Sequence, residues 1–146
     1  MKHAIEEFIQ SKSIAVVGLS RSGKKFGNIA FSELAKRGYV VFAVHPEVEE
    51  IAGTRCFPNL TVLEGKVDGA VLCIPPAKVP DVLREAAAIG VKNVWLQQGA
   101  SSSEAIALGR DLNLNLVSGR CILMYAPPVG GFHAWHRAFH RLFARI

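Results

Sequence analysis

Short apolar runs recur along the chain, and each ends at or before a glycine, a proline or a polar residue. Five of them are four to seven residues long, rich in β-branched and aromatic residues, and scarcely interrupted by polar positions: residues 13–18, 39–44, 68–74, 92–96 and 114–117. A strand with one covered face alternates apolar and polar residues, whereas a strand covered on both faces is apolar throughout. The runs therefore predict five strands of a parallel sheet.

Helical periodicity covers the segments between the runs: residues 4–9, 29–37, 77–89 and 101–112. Gly38 and Gly90 directly follow two of these segments, and glycine is the residue that most often closes a helix. The last segment opens with Ser101 and Glu104, which have the spacing of a capping box. A weaker helical turn at residues 59–64 bridges the second and third predicted strands.

The alternation of strands and helices predicts an α/β fold, in which helices cover both faces of a doubly wound parallel sheet. Counting the five strands along the chain, we expect the order 3-2-1-4-5 across the sheet. Ligands of such folds bind outside the carboxyl ends of the strands, at the point where the strand order reverses. This rule places the predicted crevice at the ends of strands one and four.

The pattern changes near the end of the chain, where proline and glycine pairs at residues 127–128 and 130–131 interrupt it. Residues 132–146 then have the spacing of a basic amphipathic helix with a stripe of aromatic and aliphatic side chains. We therefore divide the chain into a domain at residues 1–124 and a helical extension at residues 125–146. The stripe favours packing on the domain, on a second copy in a homodimer, or on a partner chain.

The 146 residues are 50% hydrophobic and 20% charged, which is typical of one folded domain and excludes a disordered chain. No apolar run approaches the roughly 18 residues of a membrane span. The first ten residues lack the apolar core of a signal peptide. We therefore expect a cytoplasmic protein.

Lysine and arginine outnumber aspartate and glutamate by 17 to 12, which gives a net charge of +5. The basic residues cluster at 21–25 and 137–145, and a point cluster suits a small anion better than nucleic acid. The three cysteines form no CxxC pair, which argues against a disulfide scaffold and a zinc site. His133, His136 and His140 share a helix face, but without acidic or thiol neighbours they indicate packing rather than a metal site.

The loop after the first predicted strand, residues 18–25, has three interpretations. A dinucleotide fingerprint needs a middle glycine where Ser20 stands, and an acidic residue about 20 positions later. The second strand instead ends at a His-Pro pair, with Glu47 beyond it. A Walker A loop needs Ser or Thr where Lys25 stands, and no later strand ends in an aspartate that could hold magnesium.

The third interpretation is a loop that binds phosphate without catalysing a reaction. Gly18 permits close approach of the backbone, Ser20 adds a hydroxyl, and N–H groups of the next helix point at an anion. Arg21, Lys24 and Lys25 add positive charge. The alternative is an ordinary strand–helix turn whose basic residues are solvated.

Short motifs in a fixed order give the chain a resemblance to a known family. They are Val16–Ser20 (VVGLS), Lys25–Asn28 (KFGN), Gly38–Pro46 (GYVVFAVHP), Ile51–Gly53 (IAG), Val67–Asp68 (VD), Ile74–Pro76 (IPP), Gly90–Gly99 (GVKNVWLQQG) and Arg120–Cys121 (RC). Over residues 11–124 the chain resembles the small stand-alone CoA-binding proteins, whose fold is similar to the N-terminal CoA-binding domain of the succinyl-CoA synthetase alpha subunit. The resemblance implies a Rossmann-like fold that binds coenzyme A or a short acyl-CoA as a carrier, sensor or subunit, without catalysis of its own.

The resemblance also implies which residues meet the ligand. The loop glycine and serine would hold the diphosphate, the basic residues would meet phosphate charge, and the residues after the second, third and fourth strands would contact the nucleoside, the adenine and the pantetheine arm. The implied ligand-binding residues are Gly18, Leu19, Ser20, Arg21, Lys24, Lys25, Asn28, His45, Pro46, Ile74, Pro75, Pro76, Gln98, Gly99 and Cys121. No catalytic residue is implied.

Two positions leave alternatives open. The family more often has asparagine where this chain has His45, so nucleoside recognition by the imidazole is a separate hypothesis. Cys121 would lie near the ligand, where it could form a mixed disulfide with CoA or sense redox state, or it is simply a small buried residue. Cys73 is expected in the core. The alternative function is a nucleotide-dependent enzyme on the same fold, either an NAD(P) oxidoreductase or an acyl-CoA ligase component that needs a partner chain.

Overall fold

The computed structural model describes residues 1–129. The strands are β1 (Ser13–Val17), β2 (Val40–Val44), β3 (Glu50–Ile51), β4 (Thr54–Phe57), β5 (Gly69–Leu72), β6 (Asn93–Leu96) and β7 (Asn115–Val117). The helices are α1 (Lys2–Phe8), α2 (Phe26–Lys36), α3 (Val79–Ala88) and α4 (Ser103–Asp111), with 3-10 turns at Thr61–Leu63, Pro76–Lys78 and Ile122–Met124. The predicted helix at residues 132–146, with its apolar stripe and three histidines, lies outside the described residues.

The strands form one sheet in the order β3-β4-β2-β1-β5-β6-β7, and all neighbours are parallel except β3 and β4. The predicted order 3-2-1-4-5 is wrong in two respects. β4, which the sequence analysis missed, takes the place beside β2, and β5, the third predicted strand, pairs with β1 instead. The strand order therefore reverses between β1 and β5, so the crevice lies at their carboxyl ends rather than at strands one and four.

Two helical layers cover the sheet, as the α/β pattern predicts. On one face, Phe8 of α1 and Leu34 of α2 pack with strand residues that include Trp95, whose ring meets that of Phe8 at a centroid distance of 5.2 Å. On the other face, Leu83 of α3 and Ala105 of α4 pack with a second set of strand residues. Both sets are fully buried, which explains why the central strands are apolar throughout.

The starts of α2 and α4 differ from the predicted ones, because the N-cap residues are not those that the sequence pattern indicates. α2 begins at Phe26, three residues before the predicted start, because Lys25 has extended backbone and serves as its N-cap. In α4 the cap is Ser102, whose Oγ accepts a hydrogen bond from the N–H of Ala105 at 3.0 Å. The predicted capping box is therefore wrong, because Glu104 is one position too early to complete it.

Candidate functional site

A cavity of about 620 Å³ opens at the carboxyl ends of β1, β2 and β5, where the strand order reverses. Parallel α/β sheets bind their ligands at this point. The cavity is lined by Val17, Gly18, Leu19, Ser20, Arg21, Lys25, Val44, His45, Pro46, Glu47, Cys73, Ile74, Pro75, Lys78 and Val82. Apolar strand ends and prolines form its walls, and three cations and one carboxylate stand among them.

The floor of the cavity depends on two glycines. Gly18 has φ +113°, and a Cβ added there would lie 2.3 Å from the carbonyl oxygen of Cys73. A Cβ on Gly27 would lie 2.3 Å from the carbonyl oxygen of Gly18, so the first turn of α2 rests directly on the loop. Gly27 is not among the predicted site residues, although it lies within the KFGN motif. This packing aims the N-terminus of α2 at the cavity, which favours an anionic ligand.

Asn28 holds the loop in place from within α2. Its Oδ1 accepts a hydrogen bond from the N–H of Ser20 at 2.9 Å, and its Nδ2 donates to the carbonyl oxygen of Ser20 at 3.0 Å. The Ser20 and Ser22 hydroxyls lie 2.9 Å apart, and Ser22 Oγ accepts from the N–H of Lys24 at 3.2 Å. Asn28 therefore positions Ser20 in the cavity wall without lining the cavity itself.

The basic residues of the loop separate into different positions. Lys25, the N-cap of α2, lines the cavity, whereas Lys24 does not. Arg21 lines it too, and its Nη2 forms an ion pair with Glu47 Oε2 at 2.5 Å. Lys78, in the 3-10 turn before α3, is a third cation of the lining that the sequence analysis did not single out. Its position after a proline pair gave no recognisable signal.

His45 shapes the rim beyond β2. Its Nδ1 accepts hydrogen bonds from the N–H groups of Glu47 at 3.0 Å and Val48 at 3.2 Å. The imidazole therefore closes the turn that carries Glu47, and with Pro46 it lines the cavity. This turn brings Glu47 into the lining of the cavity, although Glu47 lies beyond the His-Pro pair that ends the second predicted strand.

A smaller cavity of about 260 Å³ adjoins the larger one at the end of β6. The two share Lys25, Cys73, Ile74 and Pro75 in their linings. The smaller cavity is otherwise lined by Phe26, Gly27, Gln97, Gln98, Gly99 and Ala100. Together they line the carboxyl rim of the sheet from the turn after β2 to the loop after β6.

Cys73 is half-buried and packs against the hydrophobic core, and it also lines both cavities at their junction. Burial raises the pKa of its thiol to about 12, with a smaller contribution in the same direction from the neighbouring Cys121. The Cys73 thiol therefore stays neutral and is a poor nucleophile. A neutral thiol also adds no negative charge beside a bound phosphate.

The structure brings most of the predicted ligand residues together. Nine line the larger cavity: Gly18, Leu19, Ser20, Arg21, Lys25, His45, Pro46, Ile74 and Pro75. Gln98 and Gly99 line the smaller one. Lys24, Asn28, Pro76 and Cys121 line neither. Among residues 1–129, no cluster of three His, Cys, Asp or Glu side chains could hold a metal ion, and no helix could span a membrane.

Comparisons with known proteins point to one family. Residues 12–127 match the family described as CoA binding domain. The chain is 30% identical over 103 residues to the ADP-forming acetate–CoA ligase II of Archaeoglobus fulgidus, which covers 68% of this chain and 15% of the ligase. It is 27% identical over 122 residues to the uncharacterized protein YneT of Bacillus subtilis, which covers 83% of this chain and 90% of YneT.

Solved structures of small proteins agree with these matches. A hypothetical protein from Pyrococcus horikoshii OT3 has a TM-score of 0.78 and 28% identity, covering 86% of this chain and 89% of that one. A conserved hypothetical protein from Pyrococcus furiosus has a TM-score of 0.73 and 34% identity, covering 77% and 97%. The chain thus spans most of these small proteins, but only 15% and 19% of two Archaeoglobus ligases.

Proposed function

The chain belongs to the CoA binding domain family, and we propose that it binds coenzyme A or a short acyl-CoA along the carboxyl rim of the sheet. One observation carries the proposal. The two adjoining cavities lie where the strand order reverses, and residues of the family match line them from the turn after β2 to the loop after β6. The chain would act as a carrier, sensor or subunit without catalysis of its own.

The diphosphate of CoA fits the start of α2. Gly18 and Gly27 let the loop after β1 and the start of α2 pack directly on neighbouring backbone, and the first residues of this helix line the smaller cavity. Lys25 stands at the N-cap of this helix and lines both cavities. A lysine in this position adds a point charge to the field of the helix N-terminus. We assign the diphosphate to Gly18, Ser20 and Lys25.

The remaining parts of the ligand follow the rim. Pro46 on one side and Ile74 with Pro75 on the other present apolar surface to the larger cavity, which suits the flat adenine. The smaller cavity continues past Cys73 to Gln98 and Gly99. This direction suits the narrow pantetheine arm, whose amides can exchange hydrogen bonds with exposed backbone.

Calorimetric titration of the purified chain with CoA, dephospho-CoA, NAD, NADP and ATP tests the proposal. We expect CoA to bind, and Lys25→Ala to weaken its binding about tenfold because a charged hydrogen-bond donor is lost. Lys24→Ala is the matched control, since it removes the same charge from the same loop outside both cavities. Binding of NAD alone, or equal effects of the two variants, would contradict the proposal.

The second candidate is a ligase component that needs a partner chain. It is favoured by the 32% identity over 91 residues to the alpha subunit of the ADP-forming acetate–CoA ligase II of Pyrococcus furiosus, of which the alignment covers 20%. The chain alone, given acetyl-CoA, ADP and phosphate, should bind acetyl-CoA without forming ATP. ATP formation by the chain alone would contradict both candidates, because neither gives the isolated chain a catalytic activity.

A further inference from the structure

Arg21 and Glu47 form an ion pair across the mouth of the larger cavity. Arg21 belongs to the loop after β1 and Glu47 to the turn after β2, and the distance between Nη2 and Oε2 is 2.5 Å. Both side chains line the cavity, yet they are 62% and 69% exposed. The pair therefore stands at the solvent side of the site, where either partner can turn toward a ligand.

The position of Arg21 differs from that of Lys25. The Arg21 guanidinium lies on the β2 side of the cavity, beside Glu47, whereas Lys25 stands at the start of α2. In doubly wound nucleotide-binding folds, the β2 side receives the ribose, and the start of the first helix receives the diphosphate. Arg21 is thus placed to meet a substituent of the ribose rather than the diphosphate.

After the second strand of such folds, an acidic residue and a basic residue recognise different forms of the ribose. A carboxylate after the second strand accepts hydrogen bonds from free ribose hydroxyls, and an arginine nearby receives a ribose phosphate. Here both groups are present and bound to each other. The turn that carries Glu47 is fixed by the His45 Nδ1, which accepts from the N–H of Glu47 at 3.0 Å.

We propose that the Arg21–Glu47 pair sets the preference of the site for a ligand whose adenine ribose carries a phosphate. The phosphate draws Arg21 away from Glu47, and the Glu47 carboxylate opposes this exchange. The inference rests on the proposed function, since CoA carries a 3′-phosphate on this ribose and dephospho-CoA does not. It also assigns different phosphate groups to Arg21 and Lys25.

The charges make the exchange favourable. An exposed ion pair contributes a factor of about five or less to an equilibrium, so opening it costs little. A guanidinium can form two parallel hydrogen bonds to a doubly charged phosphate, which is a stronger contact than the exposed pair. Glu47 then remains beside the phosphate and repels it, so the carboxylate lowers the affinity for the phosphorylated ligand.

The test compares CoA with dephospho-CoA by calorimetric titration of the wild-type chain and two variants. Arg21→Gln should weaken CoA binding about five- to tenfold, and Glu47→Gln should strengthen it about two- to fivefold. Binding of dephospho-CoA should stay within about twofold of wild type in both variants, because the contact with the phosphate is absent. Adenosine 3′,5′-bisphosphate should follow CoA.

Two control variants carry the same charge changes outside both cavities. Lys24→Gln lies in the loop of Arg21, and Glu49→Gln lies two residues beyond Glu47. Neither should alter the ratio of the two affinities, which separates contact with the phosphate from the overall field. All four exchanged side chains are exposed or lie on exposed loops, so the variants should fold as the wild type does.

The possible outcomes separate a failure of the Arg21–Glu47 proposal from a failure of the proposed CoA binding. Equal changes for CoA and dephospho-CoA in Arg21→Gln would mean that Arg21 meets a group common to both ligands, and the inference would be overturned while CoA binding stands. An unchanged affinity ratio in both variants would overturn it as well. If neither ligand binds the wild-type chain, the proposed function itself has failed and the inference falls with it.

Discussion

His45 stands where the family resemblance leads us to expect asparagine, and its side chain supplies hydrogen bonds to the turn after β2. Its Nδ1 accepts from the N–H groups two and three residues later, Glu47 and Val48. An asparagine side-chain oxygen makes the same kind of contact in an Asx-turn. The departure from the family pattern therefore preserves the local geometry, and the imidazole has a structural role that the sequence could not show.

Exchanging His45 tests this role. His45→Asn should keep the turn, whereas His45→Ala should lower the free energy of unfolding by about 1 kcal/mol, because two backbone N–H groups lose their acceptor. Urea denaturation measures the change in stability. We also expect His45→Ala to weaken CoA binding, because a loose turn misplaces Glu47 and Pro46 at the cavity, and titration with CoA measures this effect. Equal stability of the alanine variant and the wild type would contradict the assignment.

The elements show which parts of the sequence specify the fold by themselves. β1 and β5 were predicted because they are apolar on both faces, and their burial confirms that reason. β4 (Thr54–Phe57) was missed because it joins the sheet through two residue pairs with β2 and carries polar Thr54 and Arg55. Without β4, the third predicted strand takes the place beside β2 in the expected order, and the crevice is therefore expected at the wrong pair of strands.

The same distinction applies to the site. The loop after β1 and the prolines after β5 were recognisable, because glycine, proline and charged residues indicate local backbone geometry. Gly27, Lys78 and the junction position of Cys73 were not, since each depends on how an element meets the rest of the fold. Sequence patterns indicate periodicity within an element, whereas close approach between elements depends on tertiary packing.

The contact of α2 with β1 can be tested through Gly27. Alanine favours a helix over glycine by about 1 kcal/mol, but its Cβ would lie 2.3 Å from the carbonyl oxygen of Gly18. Gly27→Ala should therefore lower the free energy of unfolding by about 2 kcal/mol and weaken CoA binding, because α2 must move from the loop. Urea denaturation and titration measure both effects.

Gly109 provides the matched control in α4. A Cβ there would lie 2.8 Å from Cδ2 of Leu116, the end of a flexible side chain that can turn aside. Gly109→Ala should therefore cost less stability than Gly27→Ala and leave CoA binding unchanged. If the two variants lose stability equally and both keep their affinity, close packing of α2 on the loop is not what shapes the site.

At the scale of the whole molecule, the last described residues form hydrogen bonds at the amino ends of the strands, on the side of the sheet away from the cavities. Arg37 Nη1 donates to the carbonyl oxygens of Leu123 at 2.8 Å and Ala126 at 2.9 Å. The Tyr39 hydroxyl donates to the carbonyl oxygen of Pro127 at 2.7 Å, and Tyr39 is buried. These contacts lie at the amino ends of the strands, so they stabilise the fold away from the two cavities at the carboxyl ends.

Because of the Tyr39 contact, the stability of the fold should decrease at alkaline pH. Burial raises the pKa of Tyr39 from 10.0 to about 12, and Arg37 opposes part of the shift. The folded chain therefore holds the phenol proton that the unfolded chain releases, so the contribution is complete below pH 10 and is lost as the pH rises through about 12. Over this window the free energy of unfolding should fall by about 3 kcal/mol.

Tyr39→Phe separates this effect from other groups that titrate at high pH. The variant should lose about 1 kcal/mol near neutral pH, because the hydrogen bond to Pro127 is absent. Its stability should then fall less steeply than that of the wild type above pH 10, since no phenol remains to ionise. Urea denaturation at a series of pH values measures the difference between the two curves. Parallel curves would show that Tyr39 does not hold its proton in the fold. Converging curves with unchanged CoA affinity would show that the Tyr39 contacts stabilise one end of the sheet independently of the candidate site at the other end.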